Sequence, residues 1–173
     1  MSLALAVIAI TLTCNETAEQ EAMAAMVGFA SRNLGKKVGD GQCADLPAEG
    51  LTSTNSKPFG TWPDYPDEGD YVWGRRTATL TAESHAGQLK PGEVLQFRDV
   101  VIVTKAGNAK FTFRAVHHTA VVESYEPSSG LVKILEQNSQ GRAYVTRGTI
   151  DLNGLQAGTI WVYRPQPKSA SSR

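Results

Sequence analysis

The chain is poor in the residues that would settle its chemistry at a glance. It holds two cysteines and three histidines in 173 residues. Two cysteines cannot build a disulfide framework; a single Cys14–Cys43 bridge is conceivable in an exported protein, and it would consume the most interesting thiol. Charge of either sign is not in excess, since 17 Lys and Arg balance 17 Asp and Glu. That balance argues against nucleic acid or an anionic membrane as the main partner. The one long apolar run, Leu3 to Leu12, is too short to span a bilayer. Repeats and low-complexity stretches are missing, so neither a solenoid nor a linker array is expected. The paired Cys or His-x₃-His spacings of zinc sites are missing as well. No metal or cofactor is expected.

What is present fits one domain with a real core. We divide the chain into residues 1–14, a signal-peptide remnant or N-terminal strand, a single domain over 15–166, and a polar tail over 167–173. If the apolar start is an export signal, the protein is secreted or held in the cell envelope; if it is structural, the protein is cytoplasmic. Thr17 and Gln20 have capping-box spacing. Ala22, Met23, Met26, Phe29, Ala30 and Leu34 then recur at helical steps, and Gly35 closes that helix. A second, short helix is expected to start close to Cys43, because Pro47 is tolerated only in a first turn; Gly50 is expected to end it. Thr52 to Asp70 is proline-rich and acidic and is expected to be a surface loop pinned by Trp62 and Tyr65, re-entering the fold at Tyr71 to Gly74.

From Leu89 the pattern turns to strands. Val94–Phe97, Val100–Thr104, Phe111–Phe113, His117–Val122, Leu131–Asn138, Tyr144–Thr146 and Gly158–Arg164 are separated by short turns, which predicts an antiparallel meander. The architecture is α+β, with helices first and then a sheet that curls into a small barrel.

Cys43 follows two glycines and precedes a helix. A thiol there is pushed toward thiolate, and the free N–H groups of the helix start can hold an oxyanion. Taken alone it reads first as a small buried core residue, as most lone cysteines are. His118 is the partner the pattern suggests. It shares a strand face with Ala120 and Val122, a small apolar face expected to pack on the helix carrying Cys43, while His117 shares the other face with Thr119. Glu136 and Asn138, two apart on a strand, are expected on one face, where either could accept from the imidazole Nδ1–H and fix its tautomer. A strand end in water is the plain alternative.

Four motifs in order carry a resemblance. Gly41-Gln42-Cys43, Lys90-Pro91-Gly92-Glu93-Val94-Leu95, His118-Thr119-Ala120-Val121-Val122 and Glu136-Gln137-Asn138 resemble the successive motifs of CHAP and NlpC/P60 papain-like cysteine hydrolases. The resemblance implies a papain-like fold, with N-terminal helices packed on an antiparallel, partly barrel-like sheet. It implies Cys43 as nucleophile, His118 as base, Glu136 as the orienting residue and Asn138 as a fourth polar member. Gln42, Trp73 and Gln137 fall to the oxyanion or substrate side. The implied activity is hydrolysis of an amide, in peptidoglycan or a peptide, by a monomer with no membrane span. Ala44 stands where an aromatic often follows the cysteine, and Glu93 replaces the usual Asp. A catalytically inert binding module, or a transamidase or deamidase acting on protein, are the competing readings.

Overall fold

The computed structural model describes residues 3–60, 71–85, 87–106 and 109–168, with side chains from Glu16 onward, those of 105 and 106 excepted. Trp62 and Tyr65, with the rest of 61–70 in the expected 52–70 loop, the tip of the expected turn at 107–108, and most of the polar tail lie outside the described residues.

Helix α1 runs from Leu3 to Arg32 without a break. The Thr17–Gln20 pair therefore sits inside a helix rather than at its start. Capping spacing is a local signal, and the good helix formers on either side continue through it. The apolar Leu3–Leu12 stretch is helical. Among the described residues no helix is long and apolar enough to cross a membrane. The buried stripe of α1 is Glu19, Ala22, Met23, Met26 and Ala30, the helical spacing expected from sequence. After Arg32 a turn leads to Gly35 (φ 73°), whose N–H bonds Val145 O at 2.9 Å.

Helix α2 spans Asp45–Ser53, with Pro47 in its first turn as expected. Gly50 does not end it. A Cβ there would lie 2.5 Å from Met26 Sδ, so glycine is what lets the two helices approach. Met26 is fully buried at this crossing, and truncating it to alanine would cost about 2–5 kcal/mol.

Six strands form one antiparallel sheet: β1 (Arg75–Leu80), β2 (Val94–Ala106), β3 (Ala109–Glu126), β4 (Leu131–Glu136), β5 (Thr146–Asp151) and β6 (Leu155–Arg164). The order is β1-β6-β2-β3-β4-β5, and among the described residues the β1 and β5 edges do not pair. The sheet is open, so the expected barrel does not form. Strand β1 is an addition to the expected meander: the only apolar residues of its Arg-Arg-Thr-Ala-Thr-Leu sequence are Ala78 and Leu80, a weak strand signal.

Both faces are covered. One carries Val94, Val121, Leu135 and Tyr163 and packs on Met26, Ala30, Leu46 and Leu51 of the helices. The other, the outer core, gathers Leu95, Phe97, Ala120, Val122, Ile134, Ile150 and Ile160. The pairs of short strands expected at 94–97 and 100–104, and at 111–113 and 117–122, are halves of β2 and β3. Between the halves, Asp99 has φ 53° and Val116 opposite it is 73% exposed. Phe97 and Val100, an odd step apart, both face the outer core. The two strands thus step together at this point and exchange faces, which a strict period of two cannot follow.

Candidate active site

The cysteine turn is held by three devices. Gly39 and Gly41 take left-handed φ values of 54° and 91°, which glycine adopts at no steric cost. Asp45 Oδ2 accepts the Gln42 N–H at 2.9 Å. Gln137, fully buried, accepts the Val38 N–H on Oε1 (2.8 Å) and donates Nε2 to Val38 O (3.0 Å) and Gln42 O (2.9 Å). Its whole amide is spent on the turn, so the expected oxyanion or substrate role for Gln137 is replaced by a structural one. Cys43 then stands two residues ahead of α2, half-buried, as a free thiol. No Cys14–Cys43 bridge occupies it.

Strand β4 leaves β3 at the Ala120–Glu136 pair, and the cysteine turn takes the vacated edge. The N–H groups of Thr119 and Ala44 point at the Cys43 sulfur, and His118 is hydrogen bonded to it. Glu136 Oε2 lies 2.7 Å from His118 Nε2. The orienting carboxylate thus takes Nε2 rather than the expected Nδ1, which leaves Nδ1 for the thiol. His118 and Glu136 are 8% and 5% exposed. The imidazole lies 6.0 Å from the Phe97 ring and 6.4 Å from Phe113, centroid to centroid. Gly148 makes room for the carboxylate: a Cβ there would sit 2.7 Å from Glu136 Oε1.

His118 does lie on the face of Ala120 and Val122, but that face is the outer core, not the helix side. The pair meets because Cys43 sits over the free edge of β3, where a side chain on either face is within reach. His118 thus reaches the thiol from the outer-core face, not from the helix side.

Burial alone would raise the Cys43 thiol. The hydrogen bond and charge of His118, with the Thr119 and Ala44 N–H groups, outweigh it and lower the pKa below the ordinary thiol value. Burial likewise opposes the imidazolium, yet Cys43 and Glu136 raise His118 to about 9. The two shifts run the same way: each favours the thiolate–imidazolium pair over the neutral thiol and imidazole.

The remaining expected residues fall elsewhere. Asn138 is not on the Glu136 face, because β4 ends first and Asn138 takes φ 60° in the following turn. It is exposed and donates Nδ2 to Gln42 Oε1 at 3.2 Å, which aims the Gln42 carboxamide. Trp73 is fully buried and donates Nε1 to Gln96 Oε1 (2.9 Å), so it is core, not a substrate contact. His117 turns the other way, its Nε2 3.2 Å from Gln96 Nε2 and its ring 5.5 Å from Tyr71. Sequence reasoning missed Gln96, whose buried Oε1 also takes the Thr119 hydroxyl (2.9 Å). It ties Trp73, His117 and Thr119 together on the face opposite His118. A lone Gln inside Val-Leu-Gln-Phe was the available signal, since a buried amide needs partners. Among the described residues no group of three or more His, Cys, Asp or Glu is placed to hold a metal.

A second network resembles the first in burial. Glu93, fully buried, takes the Lys90 N–H (2.9 Å) and Arg164 Nη2 (2.9 Å). Glu19 of α1 takes Arg75 Nη2 at 2.8 Å and lies 3.5 Å from Arg164 Nη1. These bonds tie α1 to β1, β6 and the turn before β2.

A thiol paired with an imidazole, backed by a carboxylate and carried by helices ahead of an antiparallel sheet, defines a papain-like cysteine-proteinase fold. The chain belongs to the AIM3/BBC1 cysteine proteinase-fold domain family, whose model matches residues 16–172. It is 28% identical over 146 residues to altered inheritance of mitochondria protein 3 of Debaryomyces hansenii, covering 82% of this chain and 16% of that protein. The chain therefore spans about a sixth of that relative. Crystal structures of Ly7917 alone and with the hydrolyzing product of MDP are similar at TM-scores of 0.47 and 0.48, with 17% identity, over 82% and 83% of this chain and 62% of theirs.

Proposed function

We propose that the domain is a thiol hydrolase that cleaves an amide bond in a polypeptide. The observation that carries this reading is the Cys43–His118–Glu136 set, with His118 raised to about 9 by its two partners. Cys43 thiolate attacks the carbonyl carbon, and negative charge moves to the carbonyl oxygen. The Gln42 carboxamide, whose Oε1 accepts from Asn138 Nδ2, donates its Nε2–H to that oxygen. Imidazolium His118 protonates the departing amine as the C–N bond breaks, leaving a thioester. Neutral His118 then takes a proton from water as its oxygen attacks the thioester; the C–S bond breaks, the acid leaves, and the Cys43 thiolate and imidazolium are restored.

The peptidoglycan substrate and the CHAP or NlpC/P60 assignment rest on four short motifs. The relative matched over 82% of the chain is a yeast protein, and a peptide amide is the substrate we propose. A second reading, an inert module that keeps the fold, is favoured by one observation: Cys43 does not line the cleft of about 480 Å³ that opens at His118. Incubation of wild type and Cys43→Ala with fluorescently labelled, denatured casein separates the two. Hydrolysis by wild type alone, with an acid-trapped acyl adduct on the Cys43 peptide, supports the hydrolase. Equal, background release by both supports the inert module.

A further inference from the structure

Strand β3 is far longer than β4. Beyond the Ala120–Glu136 pair, β3 from 109 to 119 has β2 on one side and, among the described residues, no strand on the other. An unpaired edge is a template for another extended chain. Which main-chain groups it offers follows from alternation. In a strand, side-chain direction and the lateral direction of N–H and C=O alternate together. Val122 has its side chain in the outer core, and its N–H and C=O go to Glu93 O and Gly92 N, beside β2. Phe113 and Ala115 pack on the same core, so their main-chain groups also face β2. Thr112 and Arg114, both exposed, therefore turn theirs to the open edge. Thr119 does the same, and its N–H is the one that meets Cys43.

The open edge forms one wall of the 480 Å³ groove; Thr112, Arg114 and Val116 line it on one side and Asn138, Ser139 and Gln140 on the other. The left-handed residues Asn138 and Gln140, with φ 60° and 52°, set up that second wall. His118 lies at its end.

We propose that an extended polypeptide segment docks here as an added strand on β3, bonded through its main chain to Thr112 and Arg114, and is led along the edge toward Cys43. The inference rests on the hydrolase reading for the fate of that segment, but not for its binding. A single chain fits better than a second copy of this domain, because the 138–140 wall leaves a slot rather than a flat edge. Main-chain pairing accepts many sequences, with side-chain preference limited to alternate positions.

The test uses the Cys43→Ala chain, so catalysis plays no part in the readout. Peptides are selected on it from a displayed library of random 12-residue peptides, and the selected peptides are synthesised. Successive N-methylation along each peptide should weaken binding at every second residue and leave the others within a few-fold. Thr112→Pro removes an N–H from the open edge without touching the β2 ladder. It should weaken binding by about tenfold, the worth of roughly one main-chain hydrogen bond, while Thr112→Ala stays near the parent. Failure to select any peptide, N-methyl effects without a period of two, or equal binding by Thr112→Pro and Thr112→Ala would each overturn the proposal. So would a dimer of the Cys43→Ala chain that Thr112→Pro converts to monomer, since the edge would then belong to a second copy. Absence of casein hydrolysis by the wild type, with periodic peptide binding intact, would overturn only the hydrolase reading.

Discussion

Two regions of this domain bury charge, and they do so to different ends. In the Glu19–Glu93–Arg75–Arg164 network, carboxylates meet guanidinium groups that stay charged at any pH the protein meets. Each carboxylate faces partners on other elements, so the network fixes where α1 sits against the sheet. In the Cys43–His118–Glu136 site the cation is titratable and so is one of its partners, and the imidazole edge opens on a groove. The first arrangement resists change. The second can pass a proton between its members, because each is shifted toward its own charged form by the other. Burial by itself therefore does not set the two regions apart; a titratable cation beside a groove does.

The largest effects should come from breaking the second region. Cys43→Ala and His118→Ala should each cut casein hydrolysis by about four orders of magnitude, and the double variant little more, because the pair acts as a unit. Chemical denaturation should show both variants folded. Glu93→Ala should do the reverse. Leaving Arg164 without this partner should cost about 3 kcal/mol in a urea melt, with hydrolysis by the folded fraction unchanged. If Glu93→Ala instead moved the pH profile of hydrolysis, the two regions would not be separate.

Gly148→Ala sharpens the comparison further. Its Cβ would press on the Glu136 carboxylate, so His118 should lose part of its support. We expect hydrolysis to fall by about tenfold, one pKa unit of lost interaction, with the alkaline limit moving down. Asn138→Ala should have the smallest effect, within about threefold in kcat/KM, since one exposed hydrogen bond to Gln42 is lost.

The pH dependence has a definite sign. His118 is raised, so its imidazolium favours folding fully below its ordinary value, and that contribution is lost as pH rises through about 9. Cys43 is lowered, so its thiolate contribution is present above the ordinary thiol range and lost as pH falls through the depressed value. Hydrolysis needs both charged forms. It should plateau between the lowered Cys43 value and about 9 and decline above it as the leaving amine loses its proton donor.

Much of this was legible because it is local. The stripe of α1, the turn glycines before Cys43 and Pro47 in the first turn of α2 each report a backbone need of their own segment. His118 and Glu136 were legible as polar residues on apolar strand faces, which require partners. What escaped depends on elements meeting. Gly50 resembled a helix end because its contact, Met26, lies in another helix. Asn138 was assigned to the strand because nothing local shows that the chain leaves β3 after Glu136. Trp73 and Gln137 carry groups that suit a substrate, and tertiary partners had already taken them. The open edge of β3 has no sequence mark at all, since it is a difference in length between two strands.

The most direct measurement is the pH dependence of Cys43 alkylation by iodoacetamide, followed by peptide mass spectrometry so that Cys14 does not contribute. The account predicts an apparent pKa clearly below the free-thiol value of about 8.5, which rises to that value or above it in His118→Ala. An ordinary thiol pKa in the wild type, unmoved by His118→Ala, would contradict it.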